Sequence, residues 1–190
     1  MSTTALKRTL AEAIAEAEEF RALFPCNCYE RWEVAGSVRR RRPEVGDVEH
    51  VIIPTWGEVQ IGGGLFDQTD RVNLLWHHAA ALVEAGTLKK HIYGTTGFRW
   101  GPKYRGVEFR GHLHEMWTAE PGNWGSRLAV LTGPATFSRE IMQRFNSAGM
   151  FRQEEGQLVR VETGEPVPTP DEIYYFKLAG LPWIEPHLRR

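Results

Sequence analysis

Asp47 and Glu49 stand two residues apart in the run Gly46-Asp47-Val48-Glu49-His50-Val51-Ile52-Ile53. The β-branched residues read as a strand entered through Gly46, and residues i and i+2 of a strand face the same way. Two carboxylates therefore stand side by side, about 7 Å apart along the chain. Ahead of them lie Gly36-Ser37 and four consecutive arginines, Arg39, Arg40, Arg41 and Arg42. Gly36 lets a phosphate approach the backbone, Ser37 adds a hydroxyl, and arginine is the side chain best suited to bidentate phosphate contacts. Paired carboxylates beside a phosphate cradle are the groups that divalent-metal phosphoryl transfer requires. The bland alternative is a solvated hairpin with a charged turn. Val48, Val51, Ile52 and Ile53 argue against it, because they put the charges at the mouth of a buried strand.

The pattern GS-x-R-R followed by G-D-x-E resembles the catalytic motif of the nucleotidyltransferase superfamily, and its spacing and arginines are most similar to family X DNA polymerases, the DNA polymerase beta group. Later stretches extend the resemblance. The segment from Glu115 to Gly125 resembles the strand that carries the family's third carboxylate, with Trp124-Gly125 as the aromatic-glycine pair that follows it. Leu128-Ala129-Val130-Leu131-Thr132-Gly133 resembles the turn at the palm–thumb junction. The small mixed unit after Pro134, ending in Leu181-Pro182-Trp183-Ile184-Glu185-Pro186-His187-Leu188-Arg189, resembles the family's thumb. The likeness covers most of residues 30–190.

The resemblance implies an α+β fold: a nucleotidyltransferase palm over residues 1–132, with a mixed or antiparallel sheet and helices on one face, and a small α+β thumb over 133–190. It implies catalytic and metal-binding roles for Asp47, Glu49 and Glu115, two Mg²⁺ ions with Mn²⁺ as the alternative, and contacts to the triphosphate from Gly36, Ser37, Arg40 and Gly46. Val130, Leu131, Thr132 and Gly133 fall at the sugar and junction positions. Arg39, Arg41, Arg42, Ser138 and Met142 are candidate DNA contacts. The implied activity is addition of dNTPs, with NTPs as further substrates, to a primer 3′-hydroxyl on primer-template or gapped DNA, in short gap filling during repair. The chain is expected to be a monomer. A nucleotidyltransferase acting on a small molecule, a tRNA or a protein is the first alternative, and a catalytically silent nucleic-acid-binding relative the second. The thumb-like residues 135–190 favour the polymerase.

Three departures stand out. Many family X enzymes carry aspartate at all three metal positions, whereas this chain has Glu49, as in small bacterial and viral relatives, and Glu115. The junction reads Val130-Leu131-Thr132-Gly133 where the family usually has Tyr-Phe-Thr-Gly, so discrimination against ribonucleotides is expected to weaken. The single helix before Gly36 is too short for the lyase and helix-hairpin-helix modules of larger relatives, and no lyase activity is expected.

A length of 190 residues suits one compact domain or two small ones. The net charge of −1 is not the basic balance of a tight nucleic-acid binder, so DNA contacts must come from local patches such as Arg39 to Arg42. No apolar run reaches membrane-spanning length, and Met1-Ser2-Thr3-Thr4 opens no secretory signal. Cys26 and Cys28 are too close in sequence to bridge each other and read as reduced thiols, giving a cytoplasmic expectation in a bacterial or virus-infected cell.

Helical spacing predicts a helix from a cap at Thr3 or Thr4 to about Phe24, its glutamates on a solvated face, and another from Asp70 to Glu84. Strands are expected at 29–35, 48–53, 105–110 and 111–118. Residues 55–68, with Gly62-Gly63-Gly64, read as a flexible connection, since no Lys-Ser/Thr follows to make a phosphate loop. His77 and His78 diverge around a helix and do not share a metal. His112-x-His114 could be a metal pair, but a half-exposed sheet face is the preferred reading. Helices are expected at 135–147 and 170–179, the latter opened by Thr169-Pro170-Asp171-Glu172 as a capping box, with two short strands around Glu155-Gly156.

Overall fold

The computed structural model describes residues 7–61 and 68–190. Strand β1 (Arg8–Thr9) leads into helix α1 (Leu10–Ala22), strand β2 (Tyr29–Val34), the one-turn helix α2 (Gly36–Arg39), and strands β3 (Glu44–Val45) and β4 (Asp47–Pro54). The hairpin β5 (Trp56–Ile61) and β6 (Gln68–Asn73) precedes helix α3 (Leu74–Glu84), then β7 (Lys89–Lys90), β8 (Tyr104–Phe109) and β9 (His112–Thr118). Helices α4 (Trp124–Thr132) and α5 (Ala135–Ala148), strands β10 (Phe151–Glu154), β11 (Gln157–Arg160) and β12 (Pro166–Val167), and helix α6 (Glu172–Leu178) complete the chain.

The central sheet has the order β2-β4-β9-β8-β7. β4 and β9 are parallel and the other neighbours antiparallel, so the sheet is mixed and the fold is α+β. Alternation along β4 puts Val48, His50 and Ile52 on one face, and Asp47, Glu49, Val51 and Ile53 on the other. Helices α1 and α3 cover the first face: Phe20, Leu75, Trp76 and Ala79 pack with Trp32, Ile52, Val107 and Met116. On the second face, Trp124 and Leu128 of α4 cover Ala35, Val51 and Ile53. Asp47 and Glu49 lie beyond that cover. A separate apolar cluster joins Phe137, Ile141 and Phe145 of α5 to Leu158, Val167, Tyr175 and Phe176, with Ala129 of α4 at its edge. Helix α4 therefore serves both cores. No helix of the described residues is long and apolar enough to cross a membrane.

Several boundaries differ from expectation, each for a local reason. Helix α1 starts at Leu10, not at Thr3 or Thr4, which lie outside the described residues, as does Gly62-Gly63-Gly64. Thr9 and Glu12 form a capping box, with Thr9 N donating to Glu12 Oε2 at 2.8 Å and Glu12 N to Thr9 Oγ1 at 3.3 Å. Pairing of β1 with β3 holds Arg8 and Thr9 extended just before it. Residues 70–73 are strand because they pair with 56–59, which turns the expected loop into a hairpin. Asn73 then caps α3 by accepting from Trp76 N. Asp171, not Thr169, caps α6 and leaves Pro170 outside it. Residues 128–132 are helical, and the junction turn begins at Gly133.

Candidate active site

Asp47 and Glu49 occupy the start of β4, and the parallel register places Glu115 of β9 directly beside Glu49. All three side chains point to the face that α4 leaves open. Glu49 Oε2 is buried with no hydrogen-bond partner among the described residues. Burial, and then the charges of Asp47 and Glu115, push the Glu49 carboxyl up to about 8. Burial and two like charges each disfavour the ionised form of an acid, and a cation bound among the three carboxylates would relieve both.

Gly36 lies against that carboxylate. Its φ is +56°, and a β-carbon there would fall 1.8 Å from Glu49 Oε2. Only glycine satisfies both demands. On the same turn, Ser37 Oγ and Arg40 Nε are buried without partners among the described residues. Arg40 also donates through Nη1 to the Thr132 carbonyl, and burial pulls its guanidinium below the usual arginine range despite Glu49 nearby. Gly46 is half-buried just ahead of Asp47.

The remaining arginines divide. Arg41 and Arg42 are exposed. Arg39 is turned inward: its guanidinium grips Glu172 of α6 with two hydrogen bonds of 2.8 and 2.6 Å and reaches Thr132 Oγ1 at 2.7 Å. It is thus a fold-internal cation here, not a surface for DNA. Glu172 is shared with Arg189, which is 1% exposed and donates from 3.0 Å. Burial alone would raise Glu172, but the hydrogen bond and charge of Arg39 and the charge of Arg189 hold it below the usual carboxylate range. Ser138 is likewise turned inward, donating to the carbonyls of Val130 and Pro134, so it offers DNA no contact in this structure. Met142 is half-buried. Among the junction residues, Val130 packs on the cluster around α5 and Leu131 on the cluster of Val51, Ile53 and Trp124, Thr132 receives the two arginines, and Gly133 turns with φ +60°.

Glu115 has partners that sequence inspection did not find. Tyr104 donates to its Oε1 at 2.5 Å, and Tyr93, 3.2 Å from the same oxygen, divides its one proton between Oε1 and the Tyr104 hydroxyl. Burial pushes the Tyr93 phenol up to about 12 and lifts Tyr104 further, so both stay protonated donors at neutral pH. No periodicity marks these residues.

Behind the carboxylates, a hydrogen-bonded chain crosses the sheet. Trp32 Nε1 donates to His50 Nδ1 at 3.0 Å, which leaves the His50 proton on Nε2. His50 Nε2 then donates to His114 Nδ1 at 3.0 Å, and His114 Nε2 to Glu16 Oε1 at 2.9 Å. His112 and Arg8 meet the same carboxylate at 2.9 and 3.3 Å. Burial pushes His50 and His114 down to about 3, so the buried pair is neutral. This corrects two expectations. Glu16 is buried, because three partners satisfy it. His114 is fully buried where a half-exposed sheet face was expected, and it and His112 both turn a nitrogen to Glu16, which leaves the disfavoured metal pairing without support.

Among the described residues, no three His, Cys, Asp or Glu side chains are gathered as a ready metal-ligand cluster. Glu49 lies over Gly36 while Glu115 leans to its tyrosines. The donor chemistry of Asp47, Glu49 and Glu115, all oxygen with one buried orphan atom, still fits a hard divalent cation. A cleft of about 800 Å³ lies at the other end of β4, lined by Pro54, Thr118, Asn123, Arg127 and Glu155. It is remote from this chemistry, and none of Asp47, Glu49 and Glu115 lines it.

Trp124-Gly125 has a clear structural role. Gly125 N donates to Thr169 O at 2.7 Å, and a β-carbon at Gly125 would lie 2.0 Å from the Asp171 carbonyl oxygen. The pair lets α4 touch the backbone that leads into α6.

Residues 127–190 match the family model of the DNA polymerase beta thumb. Comparison with curated proteins gives no match. Among solved structures the chain is similar to polymerase beta of Leishmania infantum in a ternary P/T complex, with a TM-score of 0.72 and 16% identity over 98% of this chain and 78% of that one. The chain thus has a polymerase beta-like fold whose residues 127–190 match a DNA polymerase beta thumb, in keeping with the family X resemblance of its motifs.

Proposed function

We propose that the chain is a minimal family X-like DNA polymerase, a palm over residues 1–132 and a thumb over 133–190, that adds nucleotides to a primer 3′-hydroxyl and fills short gaps in DNA repair. The observation that carries this reading is the convergence of Asp47, Glu49 and Glu115 beside the Gly36 turn, with Glu49 raised to about 8 by burial and its two neighbours. The thumb match favours a polymer substrate over a small molecule, and the similar Leishmania protein was solved as a ternary P/T complex. The two cysteines are free, which suits a cytoplasmic setting, and we propose a monomer.

Asp47, Glu49 and Glu115 would hold Mg²⁺, or Mn²⁺, and two such ions supply Lewis-acid stabilisation of the attacking and leaving oxygens. The chain's own groups do the rest. Ser37 Oγ and Arg40 Nε, both without partners among the described residues, bind the β- and γ-phosphates, with Gly36 and Gly46 allowing close backbone approach. Glu115 accepts the proton of the 3′-hydroxyl. Arg41 and Arg42 face the DNA backbone, and Val130 and Leu131 lie by the sugar without an aromatic ring to exclude a 2′-hydroxyl.

Extension of a labelled primer across a one-nucleotide gap, with each dNTP separately and with Mg²⁺ or Mn²⁺, tests the reading. Extension with the complementary nucleotide alone, abolished by Asp47→Ala in a folded protein, is the expected result. Addition regardless of template would replace it with a terminal-transferase-like activity, and turnover retained by Asp47→Ala would refute the site. GTP incorporated as fast as dGTP is expected from the aromatic-free junction.

A further inference from the structure

Glu115 is longer than the aspartate that family X enzymes usually carry there, and the surrounding residues are built around that length. Gly106 of β8 is its register partner across the antiparallel pair. A β-carbon at Gly106 would fall 2.2 Å from the Tyr93 hydroxyl, so the phenol fills the space where a side chain opposite Glu115 would stand. Tyr93 is itself held by a turn: its N donates to Gly97 O at 3.0 Å, and Thr96 Oγ1 donates to its carbonyl at 2.7 Å. Tyr104 comes in diagonally from the position paired with Trp117, and its ring lies 4.1 Å from that indole. Both phenols converge on one oxygen, Oε1.

We infer that Tyr93 and Tyr104 are positioning residues that hold Oε1 of Glu115 and present Oε2 to the reacting 3′-hydroxyl, in a geometry set for glutamate and not for aspartate. This rests on the nucleotidyltransferase reading above. The phenols touch neither substrate in this role; they fix the rotamer of the group that does. A displacement of about 1 Å costs on the order of a hundredfold in rate.

The test compares single-turnover primer extension by the unaltered chain, Tyr104→Phe, Tyr93→Phe, Glu115→Asp and the Tyr104→Phe/Glu115→Asp pair. Nucleotide KM, melting temperature and crystal structures of the unaltered chain and Tyr104→Phe complete it. Tyr104→Phe is expected to lower kcat about ten- to a hundredfold with KM within about twofold. The Glu115 carboxylate is expected to leave its place in the Phe crystal. Glu115→Asp should reduce activity, although it restores the commoner residue, and should add little on the Tyr104→Phe background. Full kcat in both Phe variants, a rate loss that only tracks melting temperature, or an aspartate variant faster than the natural chain overturns the inference while leaving the function intact. An unaltered chain as inactive as Asp47→Ala overturns the underlying reading, and the inference with it.

Discussion

Gly36 shows how narrow the margins are at single residues. Its backbone sits at a positive φ and its missing side chain makes room for the Glu49 carboxylate. Gly36→Ala is expected to push that carboxylate aside and lower primer extension on the order of a hundredfold, while circular dichroism shows the fold retained; near-normal turnover would remove Gly36 from the site. Asp47 and Glu49 were legible because a strand's period of two needs no tertiary information. Tyr93 and Tyr104 were not, since only the pairing of β8 with β9 and the gap at Gly106 bring them to Glu115. Arg39 looked like its three neighbours, and only the thumb reveals that it faces Glu172.

At the scale of elements, the carboxylate face of β4 and β9 and the histidine face behind it pull stability in opposite directions with pH. His50 and His114 are neutral when folded and take up protons on unfolding, so their contribution is present above their ordinary value near 6.5 and is lost as pH falls toward 3. Glu49 keeps its proton when folded up to about 8, so stability declines as pH rises from 4.5 to 8. Without divalent cations the melting temperature is expected to rise to a maximum near pH 6.5 and fall toward pH 8. Glu49→Gln should flatten the upper slope, which is worth on the order of a few kcal/mol. A calorimetric scan series in which both proteins give the same curve would show that Glu49 is not the group responsible. The strands themselves were readable from β-branched runs. The chain of hydrogen bonds from Trp32 to Glu16 was not, because a glutamate on an amphipathic helix looks solvated until its partners are seen.

At the scale of the whole molecule, the turn expected to bind the triphosphate and the end of the chain meet at one carboxylate. Arg39 from α2 and Arg189 from the C-terminus share Glu172, and Thr132 at the end of α4 receives Arg39 and Arg40. Glu172→Gln leaves two largely buried cations uncompensated and is expected to destabilise the protein by about 3 kcal/mol; an unchanged melting temperature would show that the two halves are held by their apolar contacts alone. The C-terminal unit was recognisable from its order of elements and closing residues, but its seating was not, since that depends on the missing side chain of Gly125 and on α4 lending Leu128 to one core and Ala129 to the other. The parallel pairing of β4 with β9 has a consequence for how the protein is made. Every other neighbour in the central sheet pairs antiparallel, yet the two strands that carry the carboxylates are joined by a long excursion through a hairpin, a helix and two further strands. Closing so large a loop is expected to come late in folding, because its entropy is lost before the contacts repay it, and pulsed hydrogen exchange should find β4 and β9 protected after the β5–β6 hairpin. The carboxylates of β4 and β9 become neighbours only once the central sheet is paired, so a molecule that has not yet paired them carries the residues of the site without the site.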